Sequence, residues 1–230
     1  MLCRALAASS LAAIASKAFC GQLVRTMATA SASRASRLIW IDCEMTGLDV
    51  KSQRLVEIAC IVTEGDDQLT VVEEGPEIVI RQSDELLAGM DEWCQRTFRQ
   101  NGLLEAIRQS DVDEKEAERR VLEFLRRHTA AGVCPLAGNT VSADRRFLDA
   151  YMPALGAHLH YRTVDVSTVK ELAKRWFPKR YEAKPSKNGA HRAMDDIRKS
   201  IDELRYYRRA VFVADDGSFV PPVMNNAPTM

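Results

Sequence analysis

Three short segments rich in Ile and Val, "RLIWID", "RLVEIACIVTEG" and "PEIVIRQ", follow one another after Ser36 and constrain this chain more than any other feature. Branched side chains at that density favour a pleated, half-buried backbone. The links between them, "TGLDVKSQ" and the acidic "EGDDQLTVVEEG", are short, as expected for neighbouring strands that turn back on one another in an antiparallel meander. From Ser83 the apolar period becomes helical. It runs through "SDELLAGMDEWCQRTFRQNGLLEAIRQS" and "DEKEAERRVLEFLRRHTAAG", where Ala117, Val121, Phe124 and Leu125 share one face. "VCPLAGN" reads as a buried strand and "DRRFLDAYMPALGAHL" as a helix. "HYRTVDVSTVKELAKRWFP" reads as a strand feeding a helix, and "AHRAMDDIRKSIDELRYYRRAVFV" as a closing helix. Strands first and strand–helix units later predict an α/β domain over 37–213, in which three antiparallel strands and further parallel ones form a mixed sheet flanked by helices.

Residues 1–36 are set apart by composition. They are rich in Ala and Ser, carry Arg4, Lys17, Arg25 and Arg34, and hold no acid, which is the composition of a mitochondrial transit peptide. A secretory signal is the competing reading, but Ser9, Ser10 and Lys17 interrupt its apolar stretch; an alanine-rich leader without an address is the third. Met27 offers a second start, and with it a cytosolic form. The stretch 214–230, with two prolines and no period, is expected to be a disordered tail. With Arg37 and the four leader cations set aside, 27 basic residues face 32 acids. That balance argues against a partner bound through many phosphates, so a nucleic acid ligand would be short or held by metal. None of the six cysteines stands in a CxxC spacing, which points to reduced thiols rather than a zinc site or disulfide framework.

Chemistry enters at "LIWIDCEMTGLD". Side chains alternate along a strand, so Asp42 and Glu44 share a face while Cys43 points away. Two acids side by side at the end of an apolar strand repel each other unless they reach water, share a proton or bind a hard cation. Asp144, in "LAGNTVSADRRFL", follows a strand and a Gly-Asn loop, where capping of a helix start is the simpler role. "NGAHRAMDDIRKSIDEL" adds His191, on a loop or first turn, and Asp196 five residues on, with Asp195 beside it. Each acid alone has an ordinary explanation as a solvated terminus. Four from three segments suit two ions of the magnesium or manganese type, which take oxygen ligands and only one or two carboxylates each. A histidine titrating near neutrality can then take the proton of an attacking water.

"DCEMTGL", "GNTVSADRRFLDAYMP", "HLHYRTVDVSTVKELAKRWFP" and "HRAMDDIRKSIDELRYYR" together resemble the oligoribonuclease family, in the DEDDh group of 3′-to-5′ exonucleases with a ribonuclease-H-like fold. The similarity runs from about Leu38 to Val213. It implies that Asp42, Glu44, Asp144 and Asp196 bind two Mg²⁺ or Mn²⁺ ions and that His191 is the general base. It further implies that Leu48 and Trp93 sandwich the terminal bases, although Trp93 in an amphipathic helix has core packing as its plainer role. Tyr161 and Arg162 would reach across a homodimer into the partner's site, and Thr140, Arg162 and Ser167 would close around a 5′ phosphate, limiting the substrate to short RNA and dinucleotides. Phe98 or Arg99 stands where a histidine is expected, and Ala143 where a polar residue is expected, so a secondary contact there is in question. A DEDDh exonuclease of the proofreading or repair type, acting on DNA 3′ ends, is the alternative. A nucleotide-sensing module would be marked by loss of an acid or the histidine, and none is lost. GxxxxGK[ST] and GxGxxG do not occur, which leaves a GTP- or NAD-binding role unsupported.

Overall fold

The computed structural model describes residues 34–185 and 192–212. Five strands form one sheet in the order β3-β2-β1-β4-β5: β1 (Leu38–Met45), β2 (Leu55–Thr63), β3 (Val71–Val79), β4 (Pro135–Gly138) and β5 (His160–Asp165). The first three pair antiparallel and β4 and β5 join them in parallel, as the segment order predicts. β1, the central strand, has a neighbour on each side.

Helices cover both faces. After β3 come α1 (Asp84–Ala88), α2 (Glu92–Gln100), α3 (Leu103–Gln109) and α4 (Glu114–His128). After β4 come α5 (Ser142–Tyr151) and α6 (Pro153–His158), and after β5 come α7 (Val166–Trp176), α8 (Pro178–Glu182) and α9 (Ala193–Ala210). One core joins Ile39, Ile41, Cys43 and Ile58 to Phe124, Phe147 and Leu148 beneath α4 and α5. The other joins Trp40, Ala59 and Ile61 to Ile197, Ile201 and Tyr207 beneath α9. Alternation along β1 thus sends Cys43 into the first core and leaves Asp42 and Glu44 on the side of α9. Cys43, Cys60, Cys94 and Cys134 are buried free thiols, as the spacing of the cysteines suggests.

Local boundaries differ from the sequence reading in two places. The helical stretch 83–110 divides into α1, α2 and α3. Gly89 caps α1, Asp91 accepts the Cys94 N–H to start α2, and Gly102, at φ +77, turns the chain into α3 in a region few side chains enter. Pro153 likewise starts α6 where one continuous helix is expected. The second half of the acidic link before "PEIVIRQ" is itself strand, since β3 begins at Val71; Glu73 and Glu74 there face solvent along a sheet edge. Gly75 of β3 is required by close approach, because a Cβ there would stand 2.5 Å from Cys60 Sγ and 2.6 Å from the Phe124 ring. The leader, except its last three residues, the expected tail and His191 lie outside the described residues. Among the described residues no helix is long and apolar enough to cross a membrane.

Candidate active site

The carboxyl ends of the parallel strands collect the candidate residues, the place where ligands bind in sheets of this kind. Trp40 pairs with Ala137, and Gly138 with Asp165, so the residues after β4 and β5 lie beside the acidic end of β1. From across the sheet, α9 packs on β1 and β2 and presents Asp196 in its first turn. One oxygen each of Asp42, Glu44 and Asp196 lies within 4.8 Å of the others. Asp144 is not part of that trio. It is buried beside it, its Oδ1 accepting the Cys43 N–H at 3.0 Å, a tie across 101 residues that a solvated helix cap would not make.

Burial drives Asp42 well above the usual carboxylate range, with Asp144, Glu44 and Asp196 adding their repulsion. Burial likewise pushes Glu44 up to about 8, with Glu57 as the next cause, and Asp144 to about 7 despite the opposing hydrogen bond from Cys43. Lys199, 2.9 Å from Asp196 Oδ1, is the direct ion-pair partner of the trio. Among the described residues the cluster is therefore one of under-neutralised oxygen donors, and its donor set fits a divalent cation. Asp195, by contrast, is exposed and pairs with Arg198.

A further residue orders the pocket and carries no motif signature. Glu57, opposite Glu44 across β1 and β2, is 0% exposed. Its Oε1 accepts Arg192 Nε at 2.9 Å and a terminal guanidinium nitrogen at 2.6 Å, while Oε2 accepts the Ala193 N–H at 3.1 Å and so caps α9. One side chain thereby fixes the start of the helix that carries Asp196. The available signal is a lone acid inside "LVEIACIVT", a strand buried at every position.

The other candidates lie on the β1–β2 loop, on α2, just after β4, at the start of α7 and on β5 itself. Leu48, 69% exposed, sits on the β1–β2 loop, which Thr46 and Gln53 brace by side-chain and backbone hydrogen bonds. Trp93 is 50% exposed, so it is not a core residue, and Glu44 acts electrostatically on Cys94 next to it. Phe98 is buried with α3 and β2 and offers no substrate contact; Arg99 is exposed and bonds Gln95. Thr140 and Ser167 bring their hydroxyl oxygens to 3.1 Å, and Asp165 Oδ1 accepts both their backbone N–H groups. Thr140 holds φ +57, a conformation a β-branched residue rarely adopts and one that clusters at ligand sites. Tyr161 is 73% exposed on the edge strand β5, with the Arg162 guanidinium over its ring at 5.0 Å.

The Exonuclease family model matches residues 39–204. The mitochondrial oligoribonuclease of Bos taurus is 49% identical over 183 residues, 80% of this chain and 76% of that one. The chain belongs to the oligoribonuclease family. The oligoribonuclease of Marinobacter nauticus, a bacterium, is 54% identical over 78% of this chain and 98% of its own. Among solved structures, E. coli Exonuclease I in complex with a dA16 oligonucleotide superposes with a TM-score of 0.57 at 15% identity. The match covers 76% of this chain and 41% of that one, and it supports the exonuclease fold alone.

The raised acids have a measurable consequence. Between about pH 7 and pH 8.5 the unfolded chain carries Glu44 and Asp144 fully ionised, whereas the folded, metal-free protein still holds part of their protons. The folded state therefore binds more protons, and its stability is expected to fall as pH rises through that window. A saturating divalent cation should flatten the trend, adding more stability at the alkaline end because it displaces fewer protons there. Thermal melts with chelator and with Mn²⁺ at both ends of the window check the sign.

Proposed function

We propose that this chain is a homodimeric, mitochondrial 3′-to-5′ exoribonuclease that degrades short oligoribonucleotides and dinucleotides to 5′-mononucleotides, with two Mg²⁺ or Mn²⁺ ions and with a cytosolic form started at Met27. The convergence of Asp42, Glu44 and Asp196 carries the chemistry. Identity near one half to oligoribonucleases over most of the chain supports the substrate class, and the mitochondrial names among those relatives support the compartment.

In this mechanism Asp42, Glu44, Asp144 and Asp196 hold the ions. When bound, these supply charge stabilisation for the attacking and leaving oxygens of the phosphodiester. His191 takes a proton from the attacking water, whose oxygen bonds to phosphorus as the 3′ oxygen of the preceding nucleotide departs. Leu48 and Trp93 stack on the bases, and an aromatic face accepts any base. Thr140, Ser167 and Arg162, with Tyr161 beside it from a partner subunit, close around the 5′ phosphate. That closure favours the short-RNA reading over DNA 3′-end trimming, because a phosphate enclosed on its outer side cannot continue into another nucleotide.

The test is nucleotide release from a labelled RNA dinucleotide and from a twenty-residue DNA strand, with Mn²⁺, with Mg²⁺ and with chelator. Metal-dependent turnover that is faster on the dinucleotide is the expected result. Turnover that survives chelation, or that favours the long DNA strand, would overturn it.

A further inference from the structure

Helix α5 grips β1 and the loop that follows it at two points. In its first turn Asp144 accepts the Cys43 N–H at 3.0 Å. Seven residues on, nearly two full turns and about 10 Å along the same face, the last residue of α5 is Tyr151. Its hydroxyl donates to the Val50 carbonyl of the β1–β2 loop and accepts Arg54 Nη1 at 2.6 Å. Phe147 and Leu148, between the two grips, are fully buried, which anchors that stretch of helix in the core. The loop is braced within itself as well. Asp49 accepts the Lys51 N–H through its side chain and the Gln53 N–H through its carbonyl, and Thr46 Oγ1 accepts the Arg54 N–H. Leu48 stands two residues before Val50 and is 69% exposed, so no packing of its own fixes where it points.

We propose that Tyr151 is a positioning residue whose hydroxyl fastens the β1–β2 loop to α5 and so holds Leu48 at a set place relative to the acids, ready for a base. The inference rests on the exoribonuclease reading above and on Leu48 receiving a base. A loop already in its bound arrangement does not have to be ordered by the substrate, and binding is tighter by that amount. The same helix thus serves both halves of the site. Asp144 addresses the acids, and Tyr151 addresses the apolar contact.

Tyr151→Phe isolates the hydroxyl. It keeps the ring, its place 6.0 Å from Phe147 and the Arg54 guanidinium 4.7 Å over its centre. With an RNA dinucleotide and Mn²⁺, KM should rise about fivefold and kcat stay within about twofold, as expected when one or two hydrogen bonds are lost from a loop that binds but does not react. Mn²⁺ affinity, read by titration calorimetry, should not change, because the bond between Asp144 and Cys43 is untouched. Leu48→Ala should raise KM by more. In that background Tyr151→Phe should add a factor below about two, since no side chain remains to be positioned, whereas a general loosening of the fold would multiply through. If Tyr151→Phe does not fold, Arg54→Met, which removes the donor to the hydroxyl, enters the same cycle. An unchanged KM in Tyr151→Phe, the same factor with and without Leu48, a weakened Mn²⁺ isotherm, or a Leu48→Ala variant with wild-type KM overturns the proposal. Absence of nucleotide release by the wild type is a separate outcome, and it sinks the activity on which the proposal stands.

Discussion

Asp42→Asn is expected to abolish dinucleotide hydrolysis, by about 10³-fold or more, and at the same time to make the metal-free protein more stable. The loss follows from the position of Asp42, whose carboxylate stands among Glu44, Asp144 and Asp196. An amide keeps its shape but carries no charge to hold a cation, and metal stabilisation of a phosphoryl transition state contributes several kcal/mol, each 1.36 of which is tenfold in rate. The gain follows from the same surroundings. Burial and four neighbouring acids, Asp144, Glu44, Asp196 and Glu57, hold Asp42 well above the ordinary range, so the folded state works against its ionisation at neutral pH. Replacing it with a neutral isostere should add about 1 kcal/mol to the metal-free protein, within the usual yield of relieving a strained site. Differential scanning calorimetry with chelator, beside the activity assay with Mn²⁺, reads both effects. A variant that loses activity and stability together would show that Asp42 is structural instead.

Glu57→Ala is expected to be the most destabilising single change near the site, by about 3 kcal/mol, or on the order of 10 °C in melting temperature. It strips the Arg192 guanidinium of its buried partner and leaves the Ala193 N–H at the start of α9 without an acceptor. The guanidinium is partly exposed, which keeps the loss at the lower end for a broken buried pair. Activity should fall beyond what the unfolded fraction explains, since α9 carries Asp196 and a displacement near 1 Å in a reacting group costs up to about 10²-fold. Glu57→Gln, which still offers an oxygen to Ala193, should be intermediate in both measurements. Equal stability of the Gln variant and the wild type would show that the charge on Glu57 does not matter.

The acids at element ends were legible in sequence because local patterning places them. Period-two alternation puts Asp42 and Glu44 on one face, and the apolar stripe of Ile197, Ile201 and Leu204 shows which side of α9 is buried. Glu57 was not legible. Inside "LVEIACIVT" it reads as a blemish in an apolar run, because its meaning lies in Arg192, 135 residues away. Asn139 is hidden for a related reason: in "GNT" it looks like a turn residue, while its bonds reach Ser200 across 61 residues. The breaks at Gly89, Gly102 and Pro153 have local signals, but a helical period carried on both sides of each break conceals them. In β3 the opposite occurs, as "VVEEG" resembles a loop since its acids face water on an edge strand.

That edge has a bearing on how copies of the chain can stack. β3 and β5 are the two rims of the sheet. β3 carries Glu73, Glu74 and Glu77 and an irregular register around Pro76, which has no N–H to offer a newcomer. Such a rim repels a further strand by charge and denies it a donor. The opposite rim, β5, exposes Tyr161, Arg162 and Thr163. A strand arriving at the β3 rim would meet like charge and a missing donor, so open-ended growth of the sheet is opposed on that side by the residues of one strand.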